Sequence, residues 1–92
     1  MKAQNQTADE TKMTVGSLVR YKEILDKGDE TARFVIAEDY GDGRVKVKEI
    51  TSLTAFGFST YTRMKDDFAL MQEHITEDEV IEMVTEMTQQ TL

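Results

Sequence analysis

The chain contains no cysteine, no proline, no tryptophan and a single histidine, His74. Without cysteine there are no disulfides, no thiolate zinc ligands and no thiol nucleophile. One histidine is too few for a histidine-based metal centre and leaves Ser-His-Asp chemistry with a single candidate base. Long apolar runs are missing too, since no stretch approaches the ~20 consecutive apolar residues of a membrane-spanning helix. No apolar h-region follows the N-terminus, so no secretory signal is read, a cytoplasmic location is expected, and Asn5-Gln6-Thr7 is a fortuitous glycosylation sequon. The 92 residues hold one small domain, and 39% hydrophobic with 32% charged residues is too apolar a composition for full disorder.

Positive charge is absent from residues 66–92, which carry eight acids and no lysine or arginine. Residues 12–65 hold ten of the eleven basic residues against eight acids, so the middle is mildly basic while the whole chain has a net charge of -7. An acidic protein is repelled by phosphate backbones and anionic membranes. No membrane partner is expected. Residues 1–12 offer almost nothing to bury and read as a disordered tail, with Met13 as an alternative start.

From Val15 the pattern becomes short alternating runs separated by turn signals, which predicts a mainly β domain. Ser17 to Lys22 alternates, with Val19 and Tyr21 on one face and Arg20 and Lys22 on the other. Glu23 to Glu30 reads as a surface loop. Ala32 to Ala37 is apolar on both faces except for Arg33, as a central strand is. Asp39-Tyr40-Gly41-Asp42-Gly43 supplies the Asp-Gly pair of a tight hairpin, and Arg44 to Lys48 alternates strictly, burying Val45 and Val47. Phe58 to Met64 is rich in β-formers, and Phe68 to Met71, after the polar turn Lys65-Asp66-Asp67, is long enough for a fifth strand. The segment between, Ile50 to Gly57, is less regular.

The period then changes. Thr76 stands at an N-cap position with Glu79 three residues on, and Ile75 and Val80 are spaced for a hydrophobic staple. Val80, Met83, Val84 and Met87 form one apolar stripe, with Glu77, Asp78 and Glu79 at the positive end of the helix dipole. Three turns alone are marginal in water, so this stripe packs either on the strands or on a second chain.

Gly16-Ser17-Leu18-Val19-Arg20-Tyr21 resembles the opening strand of SH3-like small β-barrels, and Tyr61 to Leu70 resembles their closing turn and strand. The likeness covers about residues 14–71. It implies a five-stranded SH3-like barrel over 13–72, and the capping signals and apolar stripe add an acidic amphipathic α-helix over 73–92. Such barrels serve as peptide-binding modules and as KOW or Tudor-like modules of nucleic-acid machinery, so the fold does not choose a function. The aromatic groove of peptide-binding members usually has tryptophan, whereas only Tyr21, Tyr40 and Tyr61 are available here. Phe56, Phe58 and Tyr61 read as core rather than as a methyl-lysine cage.

Three roles follow. The first is a non-enzymatic protein-binding or adaptor module without cofactor or metal, docking another protein through Val80, Met83, Val84 and Met87, with a homodimer through the same stripe as one form. The second is a nucleic-acid-associated module using Arg20, Lys22, Arg44, Lys46, Lys48 and Arg63, gated by the acidic helix. The third is an acidic inhibitor, bacterial or phage in type, mimicking phosphates with Glu79, Glu82 and Glu86. Catalysis is not indicated, because neighbouring acids such as Asp66-Asp67 and Glu77-Asp78-Glu79 do not face one another across a substrate. Asp39 to Gly43 lacks the spacing of a calcium loop, and His74 reads as an exposed linker residue.

Overall fold

The computed structural model describes residues 12–91. The tail read over residues 1–12 therefore lies, apart from Lys12, outside the described residues. The described chain is mainly β: β1 (Leu18–Tyr21), β2 (Phe34–Asp39), β3 (Arg44–Thr54), β4 (Gly57–Met64) and β5 (Phe68–Gln72), followed by one helix, α1 (Glu77–Thr91). All five strands join one antiparallel sheet in the order β4-β3-β2-β1-β5. The closed barrel expected from the sequence is not formed, because β4 and β5 stand at opposite ends of this order and do not pair.

Strand alternation gives the sheet two different faces. Val19, Phe34, Ile36, Val45, Val47 and Phe68 are buried together on the inner face, closed off by Met13 and Ala32. The centre of this core is aromatic: Tyr21 stacks on Phe68 with ring centroids 5.4 Å apart and meets Phe34 edge-on at 5.0 Å. Such pairs add about 0.5–1.5 kcal/mol beyond the area they bury. Met13, which reads as a start site in the sequence, is a fully buried member of this core. On the outer face Leu18, Ile50 and Ile75 form a second cluster, joined by Val35, Phe58, Val80 and Met83. Register shifts at Leu18/Val19, Ile36/Glu38 and Glu49/Leu53 interrupt the ladders, and bulges of this kind bend and twist a sheet.

The β2–β3 hairpin forms where the Asp-Gly pair predicts it. Gly41 and Gly43 take φ values of 83° and 96°, a region side chains resist. The Asp39 carboxylate accepts the Gly41 N–H at 2.9 Å, and Asp42 accepts the Arg44 N–H at 3.1 Å. The irregular stretch after Lys48 is in fact a continuation of β3, which runs to Thr54 and turns directly into β4. Phe56 sits at that turn and is 100% exposed. It is therefore not a core residue, whereas Phe58 packs on the outer face and Tyr61 on the inner face.

Candidate docking cleft and the placement of charge

Ser17 and Gly16 are where the helix is fastened to the sheet. Ser17 is fully buried; its hydroxyl donates to the Glu73 carbonyl at 2.7 Å and accepts the Thr14 N–H at 3.0 Å. The Gly16 N–H donates to the Ile36 carbonyl at 2.8 Å, while the Gly16 carbonyl accepts the Ile75 N–H at 2.9 Å. Immediately after, the capping box closes: Glu79 N–H donates to the Thr76 hydroxyl at 3.2 Å and Thr76 N–H donates to the Glu79 carboxylate at 2.9 Å. The Gln72 side-chain amide also donates to this carboxylate, at 3.2 Å. The Thr76 N–H, then the Gln72 amide and the Thr76 hydroxyl, hold the Glu79 carboxyl below the usual glutamate range.

The stripe predicted on the helix finds the sheet. Val80 and Met83 are half-buried against the Leu18, Ile50 and Ile75 cluster, and Val84 and Met87 are half-buried further along the same helix. Glu82 and Glu86 are exposed. Val80 and Met83 thus pack on the sheet within the chain.

The basic residues divide between the two faces. Lys46 and Lys48 lie on the outer face, opposite Thr62 and Thr60 of β4. Arg44 precedes them at the hairpin, where it pairs with Asp42 at 2.9 Å and stacks over Tyr40 at 5.2 Å. Arg20 is exposed beside Ala69 of β5. Arg63 belongs to the inner side with Tyr61, whose ring it covers at 4.8 Å, and Lys22 follows β1 at the mouth of a cleft. Alternation along β4 separates Arg63 from Lys46 and Lys48, a consequence of the period-two geometry. Among the described residues no ion pair joins the helix acids to these lysines; the ion pairs are Arg44–Asp42 and Lys65–Asp39, each at 2.9 Å. Lys65 first, and then the Gly41 N–H, keep the Asp39 carboxyl below its usual range.

The cleft at Lys22 has a volume of about 460 Å³ and lies between loop 22–31 and the one-turn 3-10 helix Lys65–Asp67. The loop is internally braced. Asp26 caps the 3-10 turn Lys27–Glu30 by accepting the Gly28 N–H at 2.9 Å, and Asp29 accepts the Leu25 N–H at 2.9 Å. This bracing holds Leu25 81% exposed at the cleft rim, with Ile24 beside it, also exposed. Across the cleft stand Asp66 and Asp67, and the Lys22 N–H ties the two walls by donating to the Asp67 carbonyl at 3.0 Å. Tyr21 and Arg63 line the cleft and a second hollow of about 280 Å³ that continues toward Tyr61 and Glu49. There the Tyr61 hydroxyl donates to Glu49 at 3.2 Å. In the larger hollow five acids, Glu23, Asp26, Asp29, Asp66 and Asp67, stand against Lys22 and Arg63. A cavity so lined favours cations and disfavours anions.

No protein-family model, no curated protein and no solved structure matches this chain. Among the described residues no group of three histidine, aspartate or glutamate side chains is placed to hold a metal ion, and no described helix is long and apolar enough to cross a membrane. The cleft was beyond sequence reasoning, because its walls come from segments some 40 residues apart. The one signal present was the exposed Ile24-Leu25 pair inside an otherwise charged loop.

Proposed function

We propose that the chain is a non-enzymatic protein-binding module of SH3-like build, and that it takes a cationic segment of a partner protein in the cleft between loop 22–31 and the Lys65–Asp67 turn. The strand order β4-β3-β2-β1-β5, with a single 3-10 turn before the last strand, supports the SH3-like build. The observation that carries the function is the composition of the cleft: exposed Leu25 and the core-anchored ring of Tyr21 offer apolar contact inside a rim of five carboxylates. A rigid aromatic in a braced cleft loses little entropy on binding, and the surrounding charge selects a basic partner and speeds its encounter. The helix stripe, half committed to the sheet, supports this role from within by fixing the outer face.

The test is fluorescence anisotropy with an array of labelled 12-residue peptides of graded lysine and arginine content, titrated with the full chain at low and moderate salt. Saturable binding confined to the cationic, apolar-bearing peptides is expected. The double variant Asp66→Lys, Asp67→Lys weakens it about tenfold, since exposed charge pairs contribute roughly 0.2–1 kcal/mol each and both are reversed. Binding that ignores both this reversal and Leu25→Ser overturns the assignment.

A further inference from the structure

We propose that the free edge of β4 pairs with β4 of a second copy of the chain, antiparallel, across a two-fold axis passing beside Tyr61. Among the described residues β4 is bonded only to β3, which leaves its other edge without a strand. The Lys65 N–H on the Gly43 carbonyl, at 2.8 Å, continues the β3–β4 ladder and fixes its phase. Ser59, Tyr61 and Arg63 point their backbone groups at β3, opposite Glu49, Val47 and Val45, so Thr60 and Thr62 turn their N–H and C=O groups outward. The edge already shows its appetite for a donor: the Arg63 guanidinium donates to the Thr62 carbonyl at 3.0 Å, where a neighbouring strand would place an N–H.

The usual protections of an edge are thin here. Gly57–Met64 is an eight-residue strand with no proline, no lysine and one charge, Arg63. The β5 edge is shorter, at five residues. Self-pairing also suits the side chains. To keep each sheet face continuous, paired residue numbers must differ by an even number, and centring on Tyr61 meets this condition. Tyr61 then faces Tyr61 of the second copy, Thr60 faces its Thr62, Ser59 its Arg63, and Phe58 its Met64. Aromatic and β-branched pairs are favourable across strands, and no like charges are opposed. Because α1 packs over Phe58 near one end of the strand, the two acidic helices lie at opposite ends of the joined edge. Six residues at about 3.4 Å each separate their anchor points by roughly 20 Å, well beyond the screening length of ~8–10 Å.

The experiment is sedimentation equilibrium of the full chain from about 1 µM to 1 mM. The mass is expected to rise from 10.5 kDa toward twice that value. Thr62→Pro deletes an outward N–H while leaving the β3 ladder whole, and therefore two of the four donors that Thr60 and Thr62 supply from both copies; it is expected to weaken association at least tenfold. The variant Thr60→Glu, Thr62→Glu guards against misfolding as an explanation, because within one copy each glutamate lies opposite Lys48 or Lys46, whereas between copies glutamate meets glutamate; the same loss is expected. Since the chain lacks cysteine, Tyr61→Cys gives an unambiguous cross-link at the axis, where paired Cα atoms are close enough for a disulfide, and Ser59→Cys does not. A mass of 10.5 kDa at every concentration, or a dimer indifferent to both edge variants, overturns the proposal.

Discussion

Replacing Ser17 by alanine removes one oxygen atom from the place where the N-terminal segment, the sheet and the helix linker meet. The hydroxyl donates to the Glu73 carbonyl at 2.7 Å and accepts the Thr14 N–H at 3.0 Å, and the residue itself is fully buried. Each such bond contributes about 1 kcal/mol net, and stranding a fully buried partner costs about 1–3 kcal/mol. Thr14 and Glu73 are themselves exposed, so water recovers part of the loss. The expected destabilisation is therefore about 2 kcal/mol. For a domain of this size that lowers the melting temperature by roughly 8–16 °C, and the urea midpoint falls by about 1 M with an unchanged slope. Urea unfolding followed by circular dichroism measures it. Hydrogen exchange at the Ile75 amide, bonded to the Gly16 carbonyl next door, is expected to accelerate in step. A loss below about 0.5 kcal/mol, within the range of ordinary surface substitutions, would refute the view that this hydroxyl fastens the helix linker to the sheet.

Phe34→Ala, in contact with both Tyr21 and Phe68, is expected to cost about 3–5 kcal/mol, a large share of the 5–15 kcal/mol available to small proteins; the fall in the urea midpoint of unfolding is the readout, and a loss below about 1 kcal/mol contradicts it. Glu79 and Asp39 both have folded-state values depressed by their partners, so the stability they provide is complete above their unfolded values, near pH 4, and drains away as pH falls through the lower folded values. Urea midpoints measured from pH 7 to pH 2.5 should show this acid limb, and Glu79→Gln should make it shallower; an identical limb in the variant removes Glu79 from the explanation. Labelled single-stranded and duplex nucleic acids should give flat anisotropy titrations with the full chain at 150 mM salt, because Arg63 and Lys22 lie away from Lys46 and Lys48, the cleft acids surround the first pair and Glu38 stands opposite Lys46 in the second. A saturable, salt-sensitive curve abolished by Lys46→Glu with Lys48→Glu restores the nucleic-acid reading.

Much of the fold is written in local signals. The Asp39 to Gly43 turn, the strict alternation of Arg44 to Lys48 and the Thr76–Glu79 box each depend on residues within a few positions, and each forms as its chemistry requires. The continuation of β3 past Lys48 was harder to see. Ile50 is buried by the helix cluster rather than by the inner core, and the register shift between Glu49 and Leu53 breaks the alternation that marks a strand. Closure was not legible either, since whether β4 meets β5 depends on accumulated bend and not on any residue's preference. The helix stripe was visible, but its partner was a sheet face assembled from Leu18 and Ile50, 32 positions apart. Phe56 misled for the same reason: an apolar residue in a β-rich run reads as core unless the turn that carries it is recognised.

One sheet with a core on each side has a kinetic consequence. The inner core holds three interlocked rings, whereas the outer layer is held by a few aliphatic contacts from Ile75, Val80 and Met83. The helix is therefore expected to lift as a cooperative unit of its own, at a free energy below that of global unfolding. Its amides then exchange through partial opening, while those of β1 and β2 wait for the whole molecule. Leu18 and Val19 are bonded neighbours whose side chains serve different cores, so the Leu18 methyls would sense the helix lifting while the Val19 methyls sense only the unfolding of the inner core.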